Sequence, residues 1–475
     1  MAPEYRMLIG GKWVAGRATR EVKNKYDGSV LGTIPLAQRA DVETAIFEAE
    51  KAFPAMADMP AHRRGQILEQ TAALLEARRD EVARVIAAEA GKAMKFARIE
   101  VDRGIQTFKF AGEEAKRIHG ETVPTDASPA GTTHAGFYLR VPVGVVVAIS
   151  PFNFPLNLVA HKVAPALAAG NTLVLKPATW TPLTAVKLGE ILLEAGCPPG
   201  AFNLIFGDGG TVGEWLVTDP RVAKITFTGS ASVGEQIVRQ AGLKKVTMEL
   251  GNTSPTIIEA DGDLDLAVPK CAVGAFYNSG QVCLSVQRIY VHRSLERTFT
   301  ERFVRATQAL KVGDPLDEQV DVGPMIDERE AIRAEEWVNE AIRQGARLLC
   351  GGKREGAVLH PTVLTDVTKA MKVVCNEVFA PVVSLIPYDD LEEALTMADD
   401  TEYGLQAAIF TRDLKKAFRA IKRLNFGGVM VNETSAFRVD HMPYGGNRRS
   451  GIGREGVRYA IEEMTNIKMV VFNLA

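Results

Sequence analysis

The 475-residue chain has few cysteines, no long apolar run and no excess of charge of either sign. Its five cysteines (Cys197, Cys271, Cys283, Cys350 and Cys375) are odd in number and form no CxxC pair. That argues against a disulfide framework and against a cysteine-rich zinc site, so no metal is expected. The most apolar run, around Val141 to Ile149, is far short of a membrane span. The opening residues MAPEYRMLIGGKW have no signal-like apolar core. A formal charge of −2 excludes nucleic acid or an anionic membrane as a bulk partner. With 46% hydrophobic and 24% charged residues, disorder is excluded too. What is there is a globular chain long enough for about three domains. A reducing, cytoplasmic setting is expected, which suits a working thiol.

One stretch concentrates chemical potential: Tyr277-Asn278-Ser279-Gly280-Gln281-Val282-Cys283. A small polar run that turns tightly can present the Cys283 thiol into a cleft, where a lowered pKa makes it a nucleophile. A free cysteine is also commonly a buried, inert hydrophobe, so the thiol alone decides nothing.

Short strands and turns are expected over residues 6–35, and Asp41 is placed to cap a helix through Ala45, Ile46 and Ala49. Helical periodicity runs from Pro60 to about Ile118, broken near Gly91. Residues 121–140 are rich in turn formers and threonine, and read as two strands. The chain end, Ile467 to Phe472, is a matching strand, and together they read either as an edge element available for subunit pairing or as ordinary packing within the chain.

From residue 143 the rhythm becomes α/β. Strands are expected at Val145–Ile149, Thr172–Leu175, Phe202–Phe206, Ala223–Phe227 and Lys245–Glu249, with helices between them. This predicts a doubly wound parallel sheet, with ligands beyond the carboxyl ends of the strands. A second α/β unit follows residue 250, with strands near Ile289–Val291, Val382–Ile386, Ala407–Phe410 and Val429–Asn432. Cys283 stands at its start, so a cleft between the two units is its expected place.

The loops after the strands carry the remaining chemistry. Ser150-Pro151-Phe152-Asn153-Phe154-Pro155 is stiffened by two prolines, so Asn153 can be a fixed amide donor for an oxyanion. Lys176 ends the second strand, where a cation suits ribose or phosphate. Gly207 to Gly213 approaches the dinucleotide fingerprint but has Val212 where it needs glycine. Gly229 and Ser230 precede a helix whose amides can meet a pyrophosphate. Glu249, beside Gly251, is a candidate general base.

Taken together, PFNFP, KPATWTP, FTGSASVG, MELG, NSGQVC, NEVFAP, YGLQAAIFTRD and MPYGGNRRSGIGRE, in this order, resemble the aldehyde dehydrogenase superfamily over nearly the whole chain. The resemblance implies a Rossmann-type NAD(P)-binding domain over residues 1–119 and 140–251. It implies an α/β catalytic domain over 252–447 and a small β oligomerisation element over 120–139 and 462–475. Cys283 would then attack the aldehyde to give a thiohemiacetal, and Asn153 with the Cys283 amide would form the oxyanion hole. Glu249 would activate the water that hydrolyses the thioester to the free acid, and Glu455 matches a second carboxylate of a proton relay. NAD or NADP would be held by Ser150, Pro151, Lys176, Thr179, Gly209, Gly229, Ser230, Val233, Glu377 and Phe379. A homodimer or homotetramer is implied.

The chain departs from the family pattern at informative positions. Thr179 replaces a common glutamate, which removes a repulsion against a 2′-phosphate and so permits NADP. Asn252 stands for a second glycine after Gly251, where it is expected to limit the swing of Glu249. Ala380 stands for a glycine and Arg448 for a lysine. Residues 437–446 and Glu100-Val101-Asp102-Arg103 are similar to the lactaldehyde and phosphonoacetaldehyde dehydrogenase branch, although Val282 precedes the nucleophile where phosphonate-type relatives place arginine. A small hydroxylated or anionic aldehyde is therefore expected, with Arg103, His161 and Arg438 at the mouth of its site. The alternatives are a broad-specificity or semialdehyde dehydrogenase, and a cofactor-independent cysteine esterase. The esterase needs a histidine paired with Cys283, and no histidine lies in these loops.

Overall fold

The structure is a computed structural model describing residues 2–475. The first unit is built on an eight-stranded sheet. Its parallel core runs Phe202–Leu204, Thr172–Lys176, Val145–Ile149, Val222–Thr228, Lys245–Glu249. Val145 to Ile149 is buried at every position, as a strand covered by helices on both faces must be. Met7–Ile9 and Lys12–Val14 form one edge; the parallel core then starts in the middle at Val145, winds one way to Phe202, and crosses to Val222 on the other side. The crevice at that reversal is the expected ligand site, and it is flanked by the loops Ser150–Pro155 and Gly229–Ser230.

Four helices precede this sheet: Arg39–Ala57, Ala61–Ala77, Arg79–Ala90 and Met94–Ala115. The break expected near Gly91 is a left-handed cap, φ 71°, the conformation glycine adopts most readily. Asp41 lies inside the first helix, where its carboxylate accepts the Gln38 amide at 2.8 Å and so closes a capping box. The fourth helix carries Glu100 and Arg103, and Asn157–Ala168 carries His161 and Lys162.

The second unit has a seven-stranded sheet ordered Arg347–Cys350, Thr362–Thr365, Val382–Tyr388, Arg288–His292, Pro255–Ile258, Gln406–Phe410, Gly428–Val431. Pro255–Ile258, Arg347–Cys350 and Thr362–Thr365 were not among the expected strands. The first is masked by Thr253-Ser254-Pro255, which reads as a turn. The chain then returns to the first unit. Gly451–Ile452 pairs with Met248 and Glu249, and Val457, Ile461 and Met464 join the first core.

Residues 465–473 pair antiparallel with His134–Pro142 in a nine-residue register. Thr122–Val123 flanks them, and two short 3-10 turns replace the simple hairpin tip. Ile467, Met469, Val471 and Phe472 remain exposed. No helix among the described residues is long and apolar enough to cross a membrane.

Candidate active site

The helix Leu264–Phe276 ends at a tight left-handed turn in which Asn278, Ser279 and Gly280 have φ of 51°, 55° and 67°. Two of these are not glycine, a conformation costing on the order of 1–3 kcal/mol each. Buried bonds hold it. Ser279 Oγ donates to the Gly323 carbonyl at 2.7 Å, Asn278 Nδ2 donates to Asn153 O at 3.2 Å, and the Ile326 amide donates to Gln281 Oε1 at 2.9 Å. At Gly280 a Cβ would lie 2.2 Å from the Ala380 carbonyl, so only glycine fits. The turn delivers Cys283, half-buried, into a cavity of about 610 Å³.

That cavity is lined by Pro151, Asn153, Gly229, Ser230, Cys283, Glu377 and Phe379, with Phe152 and Trp180. Asn153 Nδ2 donates to Gln281 O at 2.9 Å, which fixes the amide and leaves its second hydrogen free. Lys92 Nζ donates to the Asn153 carbonyl at 2.7 Å and pairs with buried Glu100. Glu100 in turn accepts the amides of Leu156 and Asn157, at 2.9 and 3.2 Å. Sequence reading passed over Lys92, and its chemistry is visible only across 61 residues of separation.

Two glycines fit the cavity wall closely. A Cβ on Gly229 would lie 2.4 Å from Phe227, and one on Gly251 would lie 2.5 Å from the Glu377 carboxylate. Glu377 accepts the Asn252 amide at 2.9 Å. Burial pushes its pKa up to about 7, against the pull of that amide. Phe379 holds φ 51° and meets Phe152 edge-on. Such a wall, with a helix N-terminus at Ser230, fits a dinucleotide phosphate.

Five expected cofactor residues stand outside this lining. Ser150 Oγ is buried without a partner. Lys176 is buried with no carboxylate bonded to it; burial draws its pKa down to about 8, with Asp208 opposing. Thr179 Oγ1 donates to Gly207 O at 2.9 Å. Gly209 opens a π-helical turn at the surface, and Val233 is exposed on the next helix. Val212, which spoils the fingerprint, packs on Gly207.

Behind the thiol lies a buried charge network. Glu249 is 2% exposed and neither oxygen has a hydrogen-bond partner. Burial, then the charge of Glu455, pushes its pKa well above the usual range. Glu455 binds Lys162 at 2.9 Å and Arg438 at 3.1 Å. Burial opposes its ionisation, yet these two cations bring its pKa down to about 2. The Asn252 side chain is committed to Ser254 and Gln406, so it does not restrain Glu249 as expected. Arg448 is likewise spent on Asp399 and the Thr401 carbonyl.

The three residues expected at an aldehyde mouth separate. Arg103 and Arg438 line a second cavity of about 590 Å³, with Phe96, Tyr277 and Phe437. Arg103 is already paired with Asp440, at 2.8 and 3.2 Å. His161 is 1% exposed and lines neither cavity. It sits behind Asp440, bonded through Nε2 at 2.9 Å. Burial resists ionisation of Asp440, but bonds from His161 and Arg103 hold its carboxyl well below the usual range. Burial, then Arg438, draws the His161 pKa down, against the pull of Asp440. Arg438 keeps an unpartnered Nε. Its guanidinium lies 3.6 Å from the centre of the Tyr444 ring, whose hydroxyl is 3.2 Å from Cys283 Sγ.

A model of the aldehyde dehydrogenase family matches residues 13–470. The chain belongs to the aldehyde dehydrogenase family. It is an NAD(P)+-dependent oxidoreductase. Among its relatives, 3-sulfolactaldehyde dehydrogenase of Priestia aryabhattai is 47% identical over 471 residues, covering 99% of this chain and 98% of that one. Lactaldehyde dehydrogenase of Methanocaldococcus jannaschii is 43% identical over 471 residues, covering 98% and 100%. Aldehyde dehydrogenase 21 of Physcomitrella patens, solved in complex with the reaction product succinate, superposes with a TM-score of 0.98 at 44% identity, covering 100% and 99%. Glyceraldehyde-3-phosphate dehydrogenase of Methanocaldococcus jannaschii, solved with NADP, gives 0.93 at 43%, covering 96% and 99%. Such similarity over both sheets explains why one dehydrogenase family accounts for motifs spread from Phe152 to Glu455.

Proposed function

We infer that this dehydrogenase oxidises a small aldehyde bearing a hydroxyl or an anionic group, through Cys283. The carrying observation is that Cys283 lines the cavity of Glu377 and Phe379, while Arg438, one aromatic ring away, lines a second cavity with an unpartnered Nε–H. Support for the anion comes from the relatives, whose named compounds carry sulfonate, carboxylate or phosphate. Arg438 is the better candidate for that anion: both arginines are paired, Arg438 with Glu455 and Arg103 with Asp440, but Arg103 gives Nε and Nη2 to its partner whereas Arg438 keeps its Nε free.

In this reading Cys283 attacks the aldehyde carbon. The free Asn153 hydrogen and the Cys283 amide hold the oxyanion of the thiohemiacetal, a donor worth roughly 3 kcal/mol. When bound, the nicotinamide cofactor supplies the hydride acceptor. Glu377, Phe379, Gly229, Ser230 and Pro151 hold it against the thiol. Lys176 and Thr179 present an uncommitted cation and a neutral hydroxyl to the adenosine ribose, a pair that admits NADP as well as NAD. Glu249, its two oxygens unbonded, turns toward the thioester and takes a proton from the attacking water. Glu455, the second carboxylate, stays paired with Lys162 and Arg438 beside it, and the proton leaves Glu249 for water. The exposed strand Thr465–Asn473 supports a homodimer or homotetramer, and a reducing cytoplasm suits the free thiols.

The test is initial rates with NAD+ and NADP+ on lactaldehyde, glycolaldehyde, phosphonoacetaldehyde, succinate semialdehyde and an aromatic aldehyde, with Cys283→Ser and Arg438→Met alongside. Arg438→Met is expected to lose activity on anionic aldehydes far more than on neutral ones. Equal losses would refute the anion subsite. Activity retained in Cys283→Ser would refute the nucleophile.

A further inference from the structure

Tyr444 is buried, at 4% exposure. Its hydroxyl, 3.2 Å from Cys283 Sγ, makes no other hydrogen bond among the described residues. A buried phenol normally finds an oxygen or nitrogen partner. A neutral thiol is a weak partner, whereas a thiolate accepts a charge-assisted bond. The pair is therefore mismatched while the thiol is protonated and matched once it is ionised.

The phenol is held in place from two directions. Tyr444 exchanges backbone bonds with Glu455, at 3.0 and 2.6 Å. The Arg438 guanidinium lies on its ring, anchored in turn by Glu455 at 3.1 Å. A cation over the ring face is attractive, and it withdraws electron density from the phenol, which strengthens the hydroxyl as a donor. Five groups bear on the thiol. Burial pushes the Cys283 pKa up to about 12; the Tyr444 bond and Arg438 work against this, and the charges of Glu377 and Glu249 work with it. Tyr277 lies beside it without a bond.

We propose that Tyr444 is a catalytic residue, donating its hydroxyl hydrogen to the Cys283 thiolate, with Arg438 as the positioning residue that strengthens the donor. The proton leaving Cys283 passes to water in the cavity that Cys283 lines, and the phenol keeps its own. The sulfur lone pair then forms the carbon–sulfur bond. This rests on Cys283 being the nucleophile.

The experiment is alkylation of the full-length enzyme by iodoacetamide across pH, without cofactor, read by mass spectrometry on the Cys283 peptide so that exposed Cys375 does not interfere. Tyr444→Phe keeps the ring and removes only the hydroxyl. Its alkylation midpoint is expected to move up by about one pH unit, a roughly tenfold slower rate near neutral pH, with the high-pH plateau unchanged. A fluorotyrosine at position 444, a more acidic phenol, is expected to move the midpoint down. A uniformly lower rate with no shift, or shifts of the same sign in both variants, would overturn the proposal. Should Tyr444→Phe fail to fold, the fluorotyrosine enzyme alone decides it. Cys283→Ser separates the premises: dehydrogenase activity surviving there removes the nucleophile reading, while a missing pH shift with that activity abolished removes only the role of Tyr444.

Discussion

Toward Glu377 and Phe379 the wall of the Cys283 cavity carries ring edges and two glycines, Gly229 and Gly251, with no room for a side chain at either. Toward Asp440 and Glu455 lies a chain of charged and polar groups, Arg103, Asp440, His161, Arg438, Glu455 and Lys162, each bonded to the next or to a neighbour, of which Arg103 and Arg438 line the second cavity. At those two glycines a ligand can approach the main chain. The charged side takes charges out of water and must pair them, because a lone buried charge costs several kcal/mol. Glu249 is the exception. It lies among the charges and has no bonded partner, while Glu455, in the same surroundings, has two cations. The difference teaches that burial alone does not set a carboxylate's role. A bonded carboxylate stays ionised and structural, and an unbonded one is left with a pKa high enough to exchange protons.

The contrast breaks most sharply at Glu249. Glu249→Gln is expected to lower kcat on the order of 10²–10⁴-fold, with a first turnover of NAD(P)H still formed as the acyl-enzyme accumulates. As the proposed general base Glu249 must be ionised to act, and its pKa is raised, so wild-type kcat should climb with pH through that raised value, and the climb should vanish in the variant. Rapid-mixing absorbance across pH checks both.

Next in size is the link between the two sides. Lys92→Met removes the bond to the Asn153 carbonyl and strands Glu100, a buried charge whose isolation costs about 3–5 kcal/mol. kcat should fall roughly 10–100-fold with the cofactor KM unchanged, and the unfolding temperature should drop. Adding Glu100→Gln should restore thermal stability but not kcat, and calorimetry with steady-state rates separates the two.

The smallest effect belongs to the cofactor side. Lys176, with its pKa drawn down to about 8, loses its charge as pH rises past that value. NADP+ affinity should therefore weaken several-fold between pH 7 and roughly 9, and NAD+ affinity should hold. Fluorescence titration of each nucleotide measures this, and Lys176→Met should abolish the difference.

Much of this architecture could be read along the chain because it is periodic or local. The strand Val145–Ile149 ends where its apolar run ends. The left-handed turn before Cys283 is written in Asn278 and Gly280, the residue types that tolerate it, while Ser279 between them is held there by its buried bond to Gly323. What was not legible joins distant residues. Arg103 meets Asp440 across 337 positions and Cys283 meets Tyr444 across 161. Charge type marks each of these as polar, but only the fold says whether its partner is a ligand or a neighbour. His161 was misplaced for that reason: a histidine beside a cleft and one behind an aspartate look alike in sequence.

The return of residues 451–464 to the first unit has a consequence for the order of events as the chain is made. Val457, Ile461 and Met464 complete a core that begins at Met7, and Gly451 and Ile452 close the sheet edge at Glu249. The first unit therefore cannot finish packing until the whole of the second unit has been synthesised. Until then its apolar edge stays open, an interval in which a nascent chain is exposed to misassembly.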